Sequence, residues 1–108
     1  MPRDSRERNE ALFREVNERI EDVSSTIAPE EQLMEFLCEC DDTACVEKVN
    51  ASRAEYEAVR AVATHFIVVP GHEDPEIEHV ALRNERFLVV EKEGDAAHEA
   101  EEGDPRET

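Results

Sequence analysis

All three cysteines of this chain lie within eight consecutive residues, in the pattern C-x-C-x4-C formed by Cys38, Cys40 and Cys45. Thiolates and imidazoles are the preferred ligands of zinc, which structural sites hold in tetrahedral sets of four. His72 is the best-placed fourth ligand, because Gly71 before it allows the chain to turn sharply and aim the side chain. The spacing therefore predicts a Cys3His zinc site made by Cys38, Cys40, Cys45 and His72.

The choice of the fourth ligand has an alternative among the other histidines. His65 precedes a run of β-branched residues and is the reserve candidate. The pattern around His79 predicts a strand surface, and His98 lies in a polar tail. Both His72 and His65 stay open at the sequence level, with His72 favoured by its position after the glycine.

Three clustered thiols are also compatible with other chemistry. They could be small buried hydrophobic residues, ligands of copper, or redox-active thiols that form a Cys40–Cys45 or Cys38–Cys45 disulfide on oxidation. A catalytic zinc would need an open coordination position and a nearby base, for which Glu73 is the candidate. Three thiolates would blunt the Lewis acidity of the ion, so the pattern favours a role without catalysis.

The charge of the chain restricts its partners. Its 108 residues include 12 Lys and Arg against 29 Asp and Glu, a formal net charge of −17. Such a field repels nucleic-acid phosphates and anionic membranes, and it attracts basic protein surfaces. The absence of a long apolar run and of a secretory signal leads us to expect a cytoplasmic location, where the cysteines stay reduced.

An amphipathic helix is predicted over residues 5–26, before Pro29. Its apolar residues recur at spacings of three and four: Phe13, Val16, Ile20, Val23 and Ile27, with Leu12 widening the stripe. The helix either packs on its own domain or pairs with another chain, for instance in a homodimer through residues 12–27.

The other elements must position the cysteines. A strand over residues 33–38 would place Cys38 and Cys40 on the face that packs on the core. Ser52 and Glu55 form a capping-box pattern that opens a helix over residues 52–63. Further strands are predicted at residues 46–49, 66–69, 77–82 and 87–90.

The order of these elements predicts an α+β fold stabilised by zinc. It combines an N-terminal amphipathic helix (residues 1–29) with a compact domain (residues 30–93). That domain holds a small, mostly antiparallel sheet of four to five strands and one further helix. Residues 94–108 carry acids without an apolar pattern and are predicted to be a disordered tail.

Several segments resemble a family of small, acidic actinobacterial-type proteins to which no activity is assigned. They are NEALFREVNE (9–18), EFLCEC (35–40), EYEAVR (55–60), VPGHE (69–73) and VVEK (89–92). The resemblance implies that Cys38, Cys40, Cys45 and His72 act as one constellation, and it implies no substrate.

Two hypotheses about function follow from these observations. The first is a zinc-binding regulatory or protein-interaction module without catalytic activity, which binds a protein partner with a basic surface. The alternative is a thiol and zinc redox sensor that releases its metal on oxidation. A zinc hydrolase that uses Glu73 as its base is a weaker third hypothesis.

Overall fold

The computed structural model describes residues 5–40, 42, 44–102 and 104, and it has an α+β fold, as predicted. The helices are α1 (Ser5–Ser24), α2 (Arg53–Arg60) and α3 (Gly94–Glu102). The strands are β1 (Leu33–Leu37), β2 (Lys48–Ser52), β3 (His65–Val68), β4 (Glu78–Arg83) and β5 (Leu88–Lys92). Within the described ranges, no helix combines the length and the hydrophobicity that crossing a bilayer requires.

The five strands form two small antiparallel sheets, one of β1 and β2 and one in the order β3–β5–β4. The two sheets are separate, but hydrogen bonds from the segment after β1 link them. The Glu39 N–H donates to the Ile67 carbonyl at 2.8 Å, but the Val69 N–H donates to the Cys38 sulfur at 3.2 Å. A thiol thus takes the place of a carbonyl at the point where the two sheets meet.

The hydrophobic core lies between the two sheets and α2. Phe36 on β1 stacks on Tyr56 of α2 with ring centroids 4.6 Å apart. The capping box is present, since the Glu55 N–H donates to the Ser52 hydroxyl and the Ser52 N–H to the Glu55 carboxylate. The core also buries Val49, Phe66, Ile67, Val68, Leu88, Val90 and all three cysteines.

Helix α1 packs on its own domain through polar residues. The buried positions follow one another at spacings of four and three: Glu10, Arg14, Asn17, Glu21 and Ser24. The Arg14 guanidinium lies over the Phe66 ring, 4.4 Å from its centroid, and donates to the Ala63 and Ala100 carbonyls. The apolar stripe that predicted the helix lies beside this contact face. Its residue Ile20 packs against the hydrophobic core, and its other residues are half-buried or exposed.

The structure differs from the predicted disordered tail at residues 94–102, which form α3. Ala96 and Ala100 are one turn apart and buried, and the Arg14 bond to the Ala100 carbonyl holds the helix against α1. Two alanines make only a weak apolar pattern, so the acidic composition of this segment led to the prediction of disorder. Of the remaining tail, residues 103 and 105–108 lie outside the described part of the chain.

Candidate metal centre

Four ligand atoms converge where the two sheets meet. The sulfurs of Cys38, Cys40 and Cys45 and a ring nitrogen of His72 all lie within 4.8 Å of one another. The His72 Nδ1 atom is 3.6 Å from the Cys38 sulfur and 3.5 Å from the Cys45 sulfur. A tetrahedral zinc with Zn–S of about 2.3 Å and Zn–N of about 2.05 Å requires an S···N distance of about 3.6 Å. The group could hold a metal ion without a large rearrangement.

The cysteines are placed by the connection between β1 and β2. The Cys38 N–H still donates to the Glu47 carbonyl at 3.1 Å, which extends the β1–β2 pairing by one residue. Two residues later Cys40 lies on the same side of the extended chain. Asp42 then shapes a turn, because its carboxylate accepts from the Ala44 N–H at 2.9 Å and its carbonyl from the Cys45 N–H at 3.0 Å. That turn brings the third sulfur back to the first two.

His72 is placed by a tight turn directly after β3. The His72 N–H donates to the Val69 carbonyl at 2.9 Å, and Gly71 has a φ of 96°. Proline at the second position and glycine at positive φ at the third are typical of a type II turn. The Glu73 carboxylate accepts from the Gly71 N–H at 2.9 Å. Glu73 therefore stabilises the turn that presents the imidazole.

A carboxylate supports the other side of the imidazole. The Glu47 Oε2 atom lies 3.3 Å from His72 Nε2. Ligand histidines commonly pair their second nitrogen with a carboxylate, which selects the tautomer and orients the ring. Glu47 follows Cys45 by two residues, so the same loop supplies a ligand atom and the group that orients another.

The electrostatics of the cluster concentrate one negative charge on Cys40. A hydrogen bond from the Cys38 thiol lowers the pKa of Cys40 to about 5, and the same bond together with burial raises the pKa of Cys38. Burial also raises the pKa of Cys45. The contact with the Cys40 thiolate raises the pKa of His72. A divalent cation at this point would favour the deprotonated form of all three thiols.

Glu39 lies between two of the cysteines in sequence, and its side chain is fully buried. Its carboxylate accepts from the Tyr56 hydroxyl at 2.7 Å, from the Asn17 amide at 2.8 Å and from the Ile67 N–H at 3.1 Å. Burial raises the pKa of Glu39, and the three donors oppose that shift. Glu39 therefore anchors the segment that carries Cys38 and Cys40.

Asn17 of α1 holds the end of β1 in the manner of a neighbouring strand. Its amide nitrogen donates to the Leu37 carbonyl at 2.9 Å, and its amide oxygen accepts from the Leu37 N–H at 2.7 Å. Sequence analysis missed Asn17, Glu39 and Tyr56 as positioning residues. For Asn17, the sequence did contain a signal: the polar residues of α1 recur at spacings of four and three, as its apolar residues do, which is the spacing of one helix face.

The other histidines lie outside the cluster in the described part of the chain. The His65 Nε2 atom is 3.5 Å from the Glu91 carboxylate on the neighbouring strand. His79 is an exposed residue of β4, as predicted, and His98 lies on α3. His72, and not His65, is the imidazole that the fold brings to the three sulfurs.

Comparison with known proteins adds no relative to this description: no protein-family model, curated protein or solved structure matches the chain. The resemblance to the actinobacterial-type family stays a prediction. The function has to be argued from the cluster and from the surface around it.

Proposed function

We propose that this protein is a small zinc-binding module that engages a protein partner and carries out no catalysis itself. The observation that carries the proposal is the convergence of Cys38, Cys40, Cys45 and His72 within 4.8 Å. Three thiolates and one imidazole in a tetrahedral arrangement suit zinc, whereas calcium and magnesium take oxygen ligands. The S···N distances of 3.5 and 3.6 Å support the same metal.

The proposed zinc ion has a structural role. Four protein ligands fill a tetrahedral set and leave no position for a reacting water, unlike catalytic zinc sites. The three cysteines are at most 8% exposed, which limits the access of a substrate. The ligands come from the β1–β2 connection and from the turn after β3, so the ion would tie the two sheets together. A chain of 108 residues with few aromatic side chains gains much from such a crosslink.

The interaction role rests on the surface charge. The net charge of −17 attracts a basic protein surface and repels nucleic acid. The exposed acids Glu30 and Glu31 precede β1, and the exposed Glu35 lies on it, so a basic partner could meet all three along this segment. We infer that the zinc holds this acidic surface in a fixed shape.

The metal assignment is tested by metal analysis of the purified protein. We expect one zinc per chain and, after replacement by cobalt, the intense visible bands of a tetrahedral thiolate site. Cys45→Ser and His72→Ala should each reduce bound metal and destabilise the domain severely, because the free energy of structural zinc binding is folding free energy. Glu102→Gln is the control and should match wild type. Equal melting of wild type and Cys45→Ser would remove the proposal.

The interaction role is tested by binding at two salt concentrations. The immobilised protein should retain partners at about 50 mM salt and release them at about 500 mM, since screening weakens contacts between exposed charges. A variant with Glu30, Glu31 and Glu35 changed to Gln should retain less. Identical retention by the variant and wild type would argue against a basic partner at this surface.

A thiol redox sensor is the second candidate, favoured by the closeness of three unbridged sulfurs. Two zinc-bound thiolates would reduce hydrogen peroxide to two hydroxide ions and form one disulfide, with release of the zinc. The burial of the thiols slows this reaction, and Cys45, at 8% exposure, is the most accessible. Retention of zinc and of all three free thiols under mild peroxide would eliminate this function.

A further inference from the structure

The two faces of the three-stranded sheet are covered unequally. Helix α1 contacts the face that carries Phe66, where the Arg14 guanidinium lies over the ring. Helix α2 packs on β3 from the opposite face. The strand order β3–β5–β4 makes β4 the strand farthest from β3. A cleft therefore remains between α2 and β4, above the middle strand β5.

The cleft is lined mainly by apolar side chains and has a volume of about 330 Å³. That volume lies within the range of small-molecule pockets. Phe87 and Val89 form its floor and are at most 5% exposed. Val59 and Val62 of α2 line one wall, and Leu82 of β4, which pairs with Val89, lines the other. Val62 is 41% exposed and Leu82 51%, so both walls present apolar surface that a bound molecule would cover.

A row of acids and histidines closes one end of the cleft. His65 on β3 lines the cleft and pairs with Glu91 on β5, which in turn pairs with His79 on β4. The Nε2 atoms of the two histidines lie 3.5 and 3.6 Å from the same oxygen of Glu91. The Glu93 carboxylate lies 2.5 Å from His79 Nδ1. This row contains two carboxylates and no lysine or arginine, so it attracts a cation.

The other end of the cleft is electrically balanced. Glu55 lines it, and the Arg86 guanidinium donates to both carboxylate oxygens of Glu55, at 2.9 and 2.6 Å. This ion pair lowers the pKa of Glu55 to about 2, so the carboxylate stays ionised and paired. The Asn84 amide oxygen accepts from the N–H groups of Arg86 and Phe87, both at 2.8 Å. Its NH2 group has no partner among the described residues and is a donor that a ligand could use.

We propose that this cleft binds a small apolar amine, with its hydrophobic body between α2 and β4 and its ammonium group towards Glu91. The row at His65 and the net charge of −17 would repel an anion of the same shape. A neutral molecule would gain only the apolar contacts. The inference goes beyond the proposed function and does not depend on it, since no residue of the cleft belongs to the metal cluster.

Three indole compounds test the site, because tryptamine, indole and indoleacetate share one ring system and differ in charge. They are titrated into the isotope-labelled, zinc-loaded, full-length protein and followed by NMR. Tryptamine should shift the amide signals of Val62, Leu82 and Val89 with a dissociation constant on the order of 0.1 mM, as expected for a ligand of this size. Indoleacetate should bind at least about tenfold more weakly, with indole between the two. No shift with tryptamine, or equal affinity for all three compounds, would overturn the proposal.

Filling the cleft tests its location. Ala58 lines the cleft, so the indole ring of Ala58→Trp should occupy it and lower the affinity for tryptamine at least about tenfold. Ala54→Trp is the matched control, because Ala54 is also an exposed alanine of α2 but does not line the cleft. Unchanged affinity in Ala58→Trp, or equal losses in the two variants, would contradict the assigned site.

Removing one charge tests the orientation of the amine. Glu91→Gln should weaken tryptamine binding about fivefold or more and leave indole binding unchanged, because it keeps the shape of the side chain and removes its charge. Glu102→Gln, on α3, changes the net charge by the same amount and should bind tryptamine like wild type. Unchanged tryptamine affinity in Glu91→Gln would sink the role of this carboxylate. Signals of Val62 and Leu82 that move with protein concentration alone would identify a second copy of the chain as the occupant and overturn the amine.

Discussion

At the scale of single residues, the positions of Cys38 and Cys40 depend on Glu39, a side chain that does not belong to the metal cluster. Side chains alternate along an extended segment, so Glu39 points to the face opposite Cys38 and Cys40. There it meets three donors at 2.7–3.1 Å. Their hydrogen bonds fix the backbone on both sides of Glu39 and hold two sulfurs ready before a metal arrives.

Glu39→Ala should lower the free energy of unfolding by at least about 3 kcal/mol, because it removes the acceptor of the buried Tyr56 hydroxyl, of the Ile67 N–H and of one N–H of the Asn17 amide. Urea unfolding of the zinc-loaded protein measures the effect. Glu35→Ala is the control, since Glu35 is an exposed residue of β1 and should change stability by less than about 0.5 kcal/mol. Similar losses in the two variants would show that the buried carboxylate has no anchoring role.

At the scale of elements, short segments decide where the ligands lie. The turn Val69–His72 aims the imidazole and depends on the positive φ of Gly71. Helix α1 supplies Asn17 to the end of β1 and Glu10 to an ion cluster on the second sheet. There the Lys92 ammonium of β5 contacts the carboxylates of Glu10, at 2.5 Å, and Glu78. Polar groups thus join α1 to both sheets.

Gly71→Ala should cost about 1–3 kcal/mol, since a φ of 96° strains any residue with a Cβ. The space for the methyl group is open, so the effect is one of backbone conformation. Zinc affinity, measured by competition with a chelator, should fall as well, because the turn presents His72. Gly94→Ala is the matched control: its φ of 58° is also left-handed, but it lies away from the metal cluster. Its zinc affinity should equal that of wild type.

Lys92→Met should destabilise the protein by about 3–5 kcal/mol, because it removes the ammonium group that contacts two buried carboxylates. Burial alone would lower the pKa of Lys92, but Glu10 and Glu78 raise it above the ordinary value of 10.5. The native state therefore binds this proton more tightly than the unfolded chain. The ion cluster stabilises the fold fully below pH 10.5, and its contribution is lost as the pH rises through the higher native pKa.

Thermal melting of wild type and Lys92→Met across the alkaline range measures this contribution. The gap between their melting temperatures should be constant up to about pH 10 and should narrow above it. A gap that widens with rising pH would contradict the assigned protonation of the cluster.

At the scale of the whole molecule, a thin core has to hold a strongly charged chain together. Chains of this size bury a modest share of their surface, and the net charge of −17 adds self-repulsion. A zinc crosslink between the sheets would counter this weakness, because its binding free energy adds to the folding free energy.

Sodium chloride should stabilise the fold by screening this repulsion. We expect the melting temperature of wild type to rise between about 10 mM and 500 mM salt. Most of the rise should occur below about 200 mM, because the Debye length falls from about 30 Å at 10 mM to less than 10 Å at 200 mM. A variant with Glu101→Lys and Glu102→Lys should show a smaller rise. A melting temperature that falls with salt would mean that attractive ion pairs outweigh the net repulsion.

The local chemistry of the sequence was enough to identify several features. The cysteine spacing and the glycine before His72 singled out the residues that the fold brings together. Likewise, Ser52 and Glu55 predicted the start of α2. These features depend on residues that are close in sequence, or on residue types such as cysteine and histidine that serve few purposes when clustered. They can therefore be predicted from the sequence alone. The α+β order followed from the alternation of helical and extended periodicities.

Only the tertiary structure decided which groups those elements bury. Periodicity assigned α1 an apolar contact face, yet mainly its polar residues meet the domain, because Arg14, Asn17 and Glu10 find partners up to 86 residues away. The same long-range bonds order α3, whose composition alone predicts disorder. A repeating pattern of apolar residues in the sequence predicts which face of a helix is buried. A charged residue is buried only where a partner lies within hydrogen-bonding distance, and the sequence alone does not give the distance between residues far apart in the chain.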